Sequence, residues 1–358
     1  MAATREEVLN ALSRVRDPDS GTDVVAAGLV QGLVLRDGNV GFAVEVPEAR
    51  GRAAEPLRQA CEDAVRAVKG VLSVTAVLTA HHDTKAPAQR QQPQAGIPGV
   101  AAVIAVASGK GGVGKSTVAV NLALALAKLG LKTGLLDADI YGPSVPRLLG
   151  IAEKPETDGH KLTPIAKYGI KAMSIGFLVN EDTPMIWRGP MVQSALTQMM
   201  NDVDWAPLDV LVVDMPPGTG DAQLTMAQRV PLKGAVIVST PQDIALIDAR
   251  KGLAMFQKTK VPVLGIVENM SVFVCPHCGE ATHIFGKDGA RETAAKLGAP
   301  FLGAIPLVPA IRETSDAGTP VVAAAPDSAE AQAFLALAAK VAQNIAAPAR
   351  PAPNIVFE

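Results

Sequence analysis

Cysteine is scarce in this chain, and neither sign of charge is in excess. Three cysteines in 358 residues, a small and odd number, exclude a secreted disulfide framework. With 33 basic and 35 acidic residues the formal net charge is −2, which excludes a general electrostatic grip on nucleic acid or anionic lipid. No apolar run reaches the ~18 residues a membrane span requires. Arg5, Glu6 and Glu7 precede any apolar stretch, so the start does not read as a signal peptide. No internal repeat is visible. These absences predict a soluble protein in a reducing, cytoplasmic setting, with neither nucleic acid nor membrane as partner. What is present is apolar material, 48% of residues against 19% charged, enough to bury a core without a disulfide or metal staple. The length predicts about two domains.

The chain divides by pattern. Residues 1–80 predict a small α+β domain. A helical period over Glu6–Val15 stops at the Arg16-Asp17-Pro18-Asp19 turn cluster, and two alternating stretches, Leu29–Leu35 and Val40–Val46, flank Asp37-Gly38 as a hairpin signal. A second helix over about Glu55–Val68 leads into apolar Val71–Leu78. Residues 81–98, rich in Pro, Gln and Ala, read as a flexible linker. Residues 99–345 read as one domain and 346–358 as a Pro/Ala-rich tail. Within the large domain short apolar runs recur at Val100–Ala107, Thr133–Leu136, Val210–Val213, Ala235–Ser239, Val261–Val267 and Phe301–Ile305, mostly separated by helical segments. Continuous apolar strands alternating with helices predict an α/β fold, a mainly parallel sheet covered by helices on both faces.

One motif dominates. Gly109, Lys110, Gly111, Gly112, Val113, Gly114, Lys115 and Ser116 satisfy G-x-x-x-x-G-K-[ST] between a buried strand and the helix Thr117–Leu129. The glycines let backbone N–H groups turn toward phosphates, and the helix amino terminus favours an anion. Lys115 is expected to reach the β/γ-phosphates of ATP and the Ser116 hydroxyl to ligate Mg²⁺. Asp137 and Asp139 lie at the carboxyl end of one strand, and Asp214 ends another, running into Met215-Pro216-Pro217-Gly218-Thr219-Gly220-Asp221. Carboxylates in those positions beside a phosphate loop predict metal-shell roles, helix capping being the alternative. Asn269 also lies at a strand end, a common place for a turn asparagine.

Cys275-Pro276-His277-Cys278-Gly279 places two thiols three residues apart in a loop after the strand that ends near Met270. Such a pair can share one soft metal centre. Three readings stay open: a zinc site completed by His277 and His283, a redox dithiol, or half of a larger ligand set. Cys61, on a helical segment of the other domain, reads as a small buried hydrophobe.

The Lys-Gly-Gly-Val-Gly-Lys-Ser segment resembles the deviant Walker A loop of the ParA/MinD-like ATPases, which include the nitrogenase iron protein and the arsenite-pump ATPase. That resemblance implies a nucleotide-sandwich homodimer in which Lys110 reaches the partner's nucleotide, Asp139 positions the attacking water, Asp137 serves Mg²⁺ indirectly and Asn269 bonds the adenine. Lys110, Lys115 and Asp139 would be catalytic. The span from Gly109 to Thr117, with Asn269, would hold ATP, and Ser116, Asp139 and Asp214 would serve Mg²⁺. Two copies of Cys275 and Cys278 at a two-fold axis would supply four thiolates, as many as a 4Fe–4S cluster requires.

A denser similarity covers about residues 98–325. It includes Tyr141-Gly142-Pro143-Ser144, Ile186-Trp187-Arg188-Gly189-Pro190-Met191, Cys275–Gly279, Phe285-Gly286-Lys287 and Ile311-Arg312-Glu313-Thr314-Ser315-Asp316, and it resembles the Mrp/ApbC family of iron–sulfur cluster carrier ATPases. The implied function is a slow, gating ATPase that carries a labile bridging cluster to apo-proteins, with a cluster scaffold as a further partner. Residues 1–80 resemble the small MIP18-type domain of iron–sulfur assembly factors. The cysteine segment usual there is missing, since Val46-Pro47-Glu48-Ala49-Arg50 has none, so a docking module is expected. The competing functions are a MinD/ParA-like positioning ATPase, electron transfer as in the nitrogenase iron protein, and a P-loop switch ATPase with structural zinc.

Overall fold

The computed structural model describes residues 3–36, 38–47, 54–81, 96–179 and 189–347. Asp37, most of the linker, the Ile186-Trp187-Arg188 stretch and the tail beyond 347 lie outside the described residues. The chain packs as two compact units, 1–92 and 93–358.

In the first unit helix α1 (Arg5–Leu12) opens with a reciprocal cap. The Thr4 hydroxyl accepts the Glu7 N–H, while the Glu7 carboxylate accepts the Thr4 N–H. Strands β1 (Val30–Arg36) and β2 (Asn39–Pro47) form the antiparallel hairpin expected there, and after α2 (Glu55–Arg66) strand β3 (Ser73–His81) lies parallel to β2. Period-two alternation puts Val40, Phe42, Val44 and Val46 on one face, buried with Val8, Leu12, Leu57, Cys61 and Val65. Burial pushes the Cys61 thiol up to about 11, so it behaves as a hydrophobe.

The second unit is built on a sheet of nine strands: β4 (Val100–Ala107), β5 (Thr133–Asp137), β6 (Ile165–Lys167), β7 (Ile170–Ser174), β8 (Leu208–Asp214), β9 (Leu232–Ser239), β10 (Val263–Val274), β11 (Ala281–Thr282) and β12 (Phe301–Leu307). The path runs β11-β10-β9-β4-β8-β5-β7-β6, with β12 on β10. Pairing is parallel except for β6 on β7 and β11 on β10. β4, β5, β8 and β9 are buried almost end to end, the signature of a sheet covered on both faces. The covering helices are α3 (Lys115–Lys128), α4 (Val145–Leu149), α5 (Gly189–Asn201), α6 (Asp221–Arg229), α7 (Asp243–Lys258), α8 (Gly289–Lys296), α9 (Pro309–Asp316), α10 (Val321–Ala324) and α11 (Ala329–Ala346). Ten residues of α3 are buried, Asn121 among them, its amide bonding the Thr117 carbonyl and the Val322 N–H.

Two departures from the sequence reading bear on the site. The β6–β7 hairpin was not anticipated. It closes through Tyr168 (φ +49°) and Gly169 (φ +84°), the two left-handed residues of a tight hairpin turn. The second is β10, which continues past Met270 to Val274 and delivers the chain directly to Cys275.

Candidate nucleotide and cysteine site

β4 and β8 lie side by side, with Val106 opposite Asp214. Asp214 in turn sits opposite Asp137 on β5. Phosphate loop and acidic residues therefore meet at one edge, the carboxyl ends of the strands, where open α/β sheets form ligand crevices.

Two glycines of the loop have structural reasons beyond phosphate access. A Cβ on Gly109 would lie 2.1 Å from the Asp248 carbonyl carbon, because α7 passes directly over the loop. Gly114 has φ +79°, and a Cβ there would lie 2.3 Å from Asn269 Nδ2. The loop borders a cavity of about 300 Å³ lined by Lys110, Lys115, Ser116, Asp139, Ser144 and Pro217, among others.

Lys115 is 6% exposed. Its ammonium donates to Asp214 Oδ1 and to the Ser116 hydroxyl. An ammonium has three N–H donors, so two partners leave one for a phosphate oxygen. Asp214 is fully buried and its Oδ2 has no hydrogen-bond partner. A buried carboxylate oxygen without a donor fits a cation or a cation-bound water, so the donor set of Ser116, Asp139 and Asp214 fits Mg²⁺.

Asp137 is occupied differently. Oδ1 accepts the Asp139 N–H (3.1 Å), and Oδ2 accepts the Ser144 N–H (3.1 Å), the Val145 N–H (3.1 Å) and the Ser174 hydroxyl (3.0 Å). It ties down the loop that carries Asp139 and caps the start of α4. Burial and the nearby Asp214 charge push its carboxyl up to about 7, against the pull of those hydrogen bonds. Asp139 is half-buried and lines the cavity; burial raises its carboxyl and Lys115 opposes the rise.

Asn269 donates to the Val113 carbonyl at 2.8 Å and borders a second cavity of about 230 Å³. The walls include Met270, Pro306, Leu307, Val308 and Ile311, and Gly114, Thr117 and Leu148 are shared with the first cavity. A slot with largely apolar walls, bordered also by the Asn269 amide and by Arg312, Ser315 and Asp316, and adjoining a phosphate loop, can take a planar base. The Pro306–Ile311 wall had not been identified from sequence. Its available signal was β12, whose carboxyl end must reach the same edge as the other parallel strands.

At the far end of β10 the register on β12 slips between Asn269 and Phe273, where Met270 has φ +56°. Phe273 and Val274 then pair with Thr282 and Ala281 of β11. Cys275 and Cys278 occupy the turn between these strands. Cys275 N–H donates to the Glu280 carbonyl (3.0 Å) and Gly279 N–H to the Cys275 carbonyl (2.9 Å). Backbone N–H groups of Cys278 and His277, together with the Cys278 thiol, lower the Cys275 thiol below the usual range. Cys278 is exposed. His283 contacts the Ser271 carbonyl through Nδ1 at 3.2 Å. Among the described residues no three His, Cys, Asp or Glu side chains converge to hold a metal ion, so within this chain the cysteine pair has no third such side chain grouped with it.

Residues 99–342 match the family of NUBPL iron-transfer P-loop NTPases, and residues 5–77 match the iron–sulfur cluster assembly protein family. This chain belongs to the NUBPL iron-transfer P-loop NTPase family. An iron–sulfur cluster carrier protein of Haemophilus influenzae is 46% identical over 96% of this chain and 93% of its own length. A mitochondrial iron–sulfur protein required for NADH dehydrogenase, from Arabidopsis thaliana, is 59% identical over 69% of this chain and 80% of its own. Among solved structures, a nucleotide-binding protein of Archaeoglobus fulgidus in complex with ADP is 44% identical, covering 62% of this chain and 87% of that one with a TM-score of 0.56. The cell division ATPase MinD of Pyrococcus furiosus, 23% identical with a TM-score of 0.51 over 68% of this chain and 99% of its own, shares the fold. No helix among the described residues is long and apolar enough to cross a membrane.

Proposed function

We propose that this chain is an ATP-dependent carrier that holds a 4Fe–4S cluster between two copies of itself and delivers it to apo-proteins. One observation carries the reading: a complete phosphate loop and an incomplete thiol pair are joined by a single strand. Asn269 near the middle of β10 bonds the loop carbonyl of Val113, and the strand ends on Cys275. Two thiols from each of two copies make the four that a cubane cluster requires. The full-length similarity to carrier proteins supports the same cargo.

In the nucleotide site Lys115 holds the β/γ-phosphates, and Lys110, which lines the cavity, reaches the partner's nucleotide. Asp139 orients the attacking water, and Asn269 meets the adenine edge. Mg²⁺, held by Ser116, Asp139 and Asp214, would neutralise phosphate charge. Hydrolysis is slow and serves as a gate, opening the dimer to release cargo. The amino-terminal unit docks clients or a scaffold, and free thiols fit a cytoplasmic setting.

The test is anaerobic reconstitution with iron and sulfide, followed by metal analysis and native mass on one sample. About four iron and four sulfide per dimer, lost in Cys275→Ala while nucleotide binding persists, is the expected result. One zinc per monomer with no iron uptake, or a variant that keeps its full cluster, overturns the carrier reading.

A further inference from the structure

Gln223 lies in the first turn of α6, one turn past the Pro216–Gly220 loop that follows Asp214. It is 1% exposed, yet one side of its amide is fully engaged and the other is not. Nε2 donates to the Pro216 carbonyl and, at 3.4 Å, to the Ser108 carbonyl. Oε1 is buried without a partner. The orientation is fixed by its surroundings, because two carbonyls can face only the NH₂ end of the amide.

Both acceptors are points of leverage. Pro216 opens the loop beyond the β8 carboxylate. Ser108 is the last residue before the phosphate loop; its carbonyl also accepts the Gly218 N–H at 3.1 Å, and its hydroxyl donates to the Lys110 carbonyl at 2.8 Å. One buried amide therefore pins the Pro216–Gly218 loop against the segment that sets Lys110. Leaving Oε1 buried and unpaired is costly, about 1–3 kcal/mol, and such an orphan marks an arrangement that a shift of the neighbouring loop can improve.

We propose that Gln223 is a positioning residue: it latches the Pro216–Gly220 loop to the start of the phosphate loop, so that the loop reports the γ-phosphate to Lys110. Holding the latch sets the resting position of the loop, and loop movement in the ATP state gives Oε1 a donor. The inference rests on the ATPase reading of this site.

Gln223→Met in the full chain tests it, since Met keeps the volume and removes both the donor and the orphan. ADP affinity should stay within about threefold, while kcat falls about 10- to 100-fold, the range expected when reacting groups are misplaced by an ångström. The affinity ratio of a non-hydrolysable ATP analogue to ADP should shrink toward one. A purely structural glutamine would lower the melting temperature and both affinities together, leaving the ratio intact. That result, or unchanged kcat and ratio, overturns the latch. If the unsubstituted protein hydrolyses no ATP, the ATPase reading fails, and the affinity ratio still decides the latch. Should the variant not fold, hydrogen exchange over 215–224 in the natural protein decides: protection must differ between ADP and the ATP analogue, and identical protection overturns the proposal.

Discussion

Asp137→Asn tests whether the buried pair of Asp137 and Asp214 is a strained element of the resting site. With Asp137 pushed up to about 7 from its ordinary 3.8, the folded protein holds a proton there that the unfolded chain releases above about pH 4. Between those values stability falls as pH rises, because the native state binds the extra proton. Asparagine carries no such proton, so its stability is free of this slope. Its carbonyl oxygen can replace Oδ2 and keep the Ser144, Val145 and Ser174 bonds, losing the one from Asp139. At about 1.36 kcal/mol per pH unit, the interval from pH 5 to pH 7 gives an upper bound of about 2.7 kcal/mol in favour of the variant. The slope flattens as pH approaches the native value near 7, which reduces that to about 1.5–2.5 kcal/mol. For a unit of this size 1 kcal/mol corresponds to about 2–4 °C, so the melting-temperature difference should move toward the variant by about 3–10 °C from pH 5 to pH 7 and then level off. Both tryptophans lie in the ATPase unit, Trp205 fully buried, so tryptophan fluorescence follows that unit alone. Parallel melting curves for the two proteins, or a difference that moves the other way with pH, would refute the reasoning.

Gly109→Ala should lower the melting temperature and weaken ADP binding at least about tenfold, since its Cβ meets the α7 backbone at 2.1 Å and one of the two segments must move. Gly111→Ala, with nothing within 4 Å of the new Cβ, is the internal control and should fold like the natural protein; equal melting losses in both would remove the close-approach argument. Asn269→Ala leaves the Val113 carbonyl unpaired, which costs about 1–3 kcal/mol, and should reduce ADP affinity by calorimetry; unchanged stability and affinity would detach Asn269 from the loop.

The phosphate loop was legible because its demand is local: glycines and a lysine at fixed spacing between a strand and a helix. The parallel sheet was legible from unbroken apolar runs. The part played by Asp137 was not, since it depends on β5 lying beside β8, which sets Asp137 opposite Asp214 and within reach of Ser174; from sequence the residue looked like another metal-shell carboxylate. The β6–β7 hairpin was passed over because Ile170-Lys171-Ala172-Met173-Ser174 does not alternate cleanly, although Tyr168-Gly169 was a turn signal. β10 was cut short at Met270 for a related reason. Asn269, Met270 and Ser271 look like a strand's end, but the bond from the Ser271 hydroxyl to the Ile305 carbonyl, the pairing of Phe273 with Leu307 of β12 and the return strand β11 carry pairing onward.

That extended strand shapes how the two chemistries can communicate. Asn269 is tied to the phosphate loop, Ser271 to β12 and, through its carbonyl, to His283 beyond the cysteine turn. A shift of the Val113 main chain on nucleotide binding therefore acts on a segment with few free degrees of motion before Cys275. The positive φ of Met270 marks where the segment leaves the register of β12, and it is the natural place for that motion to be absorbed or passed on. Spatial continuity alone is not coupling, however. What makes it coupling is a difference in cluster affinity between nucleotide states, and linkage then fixes the converse: if ATP weakens the hold on the cluster by some factor, the cluster must weaken the hold on ATP by the same factor. In the carrier proposed above, release of cargo and exchange of nucleotide would then be two faces of one equilibrium.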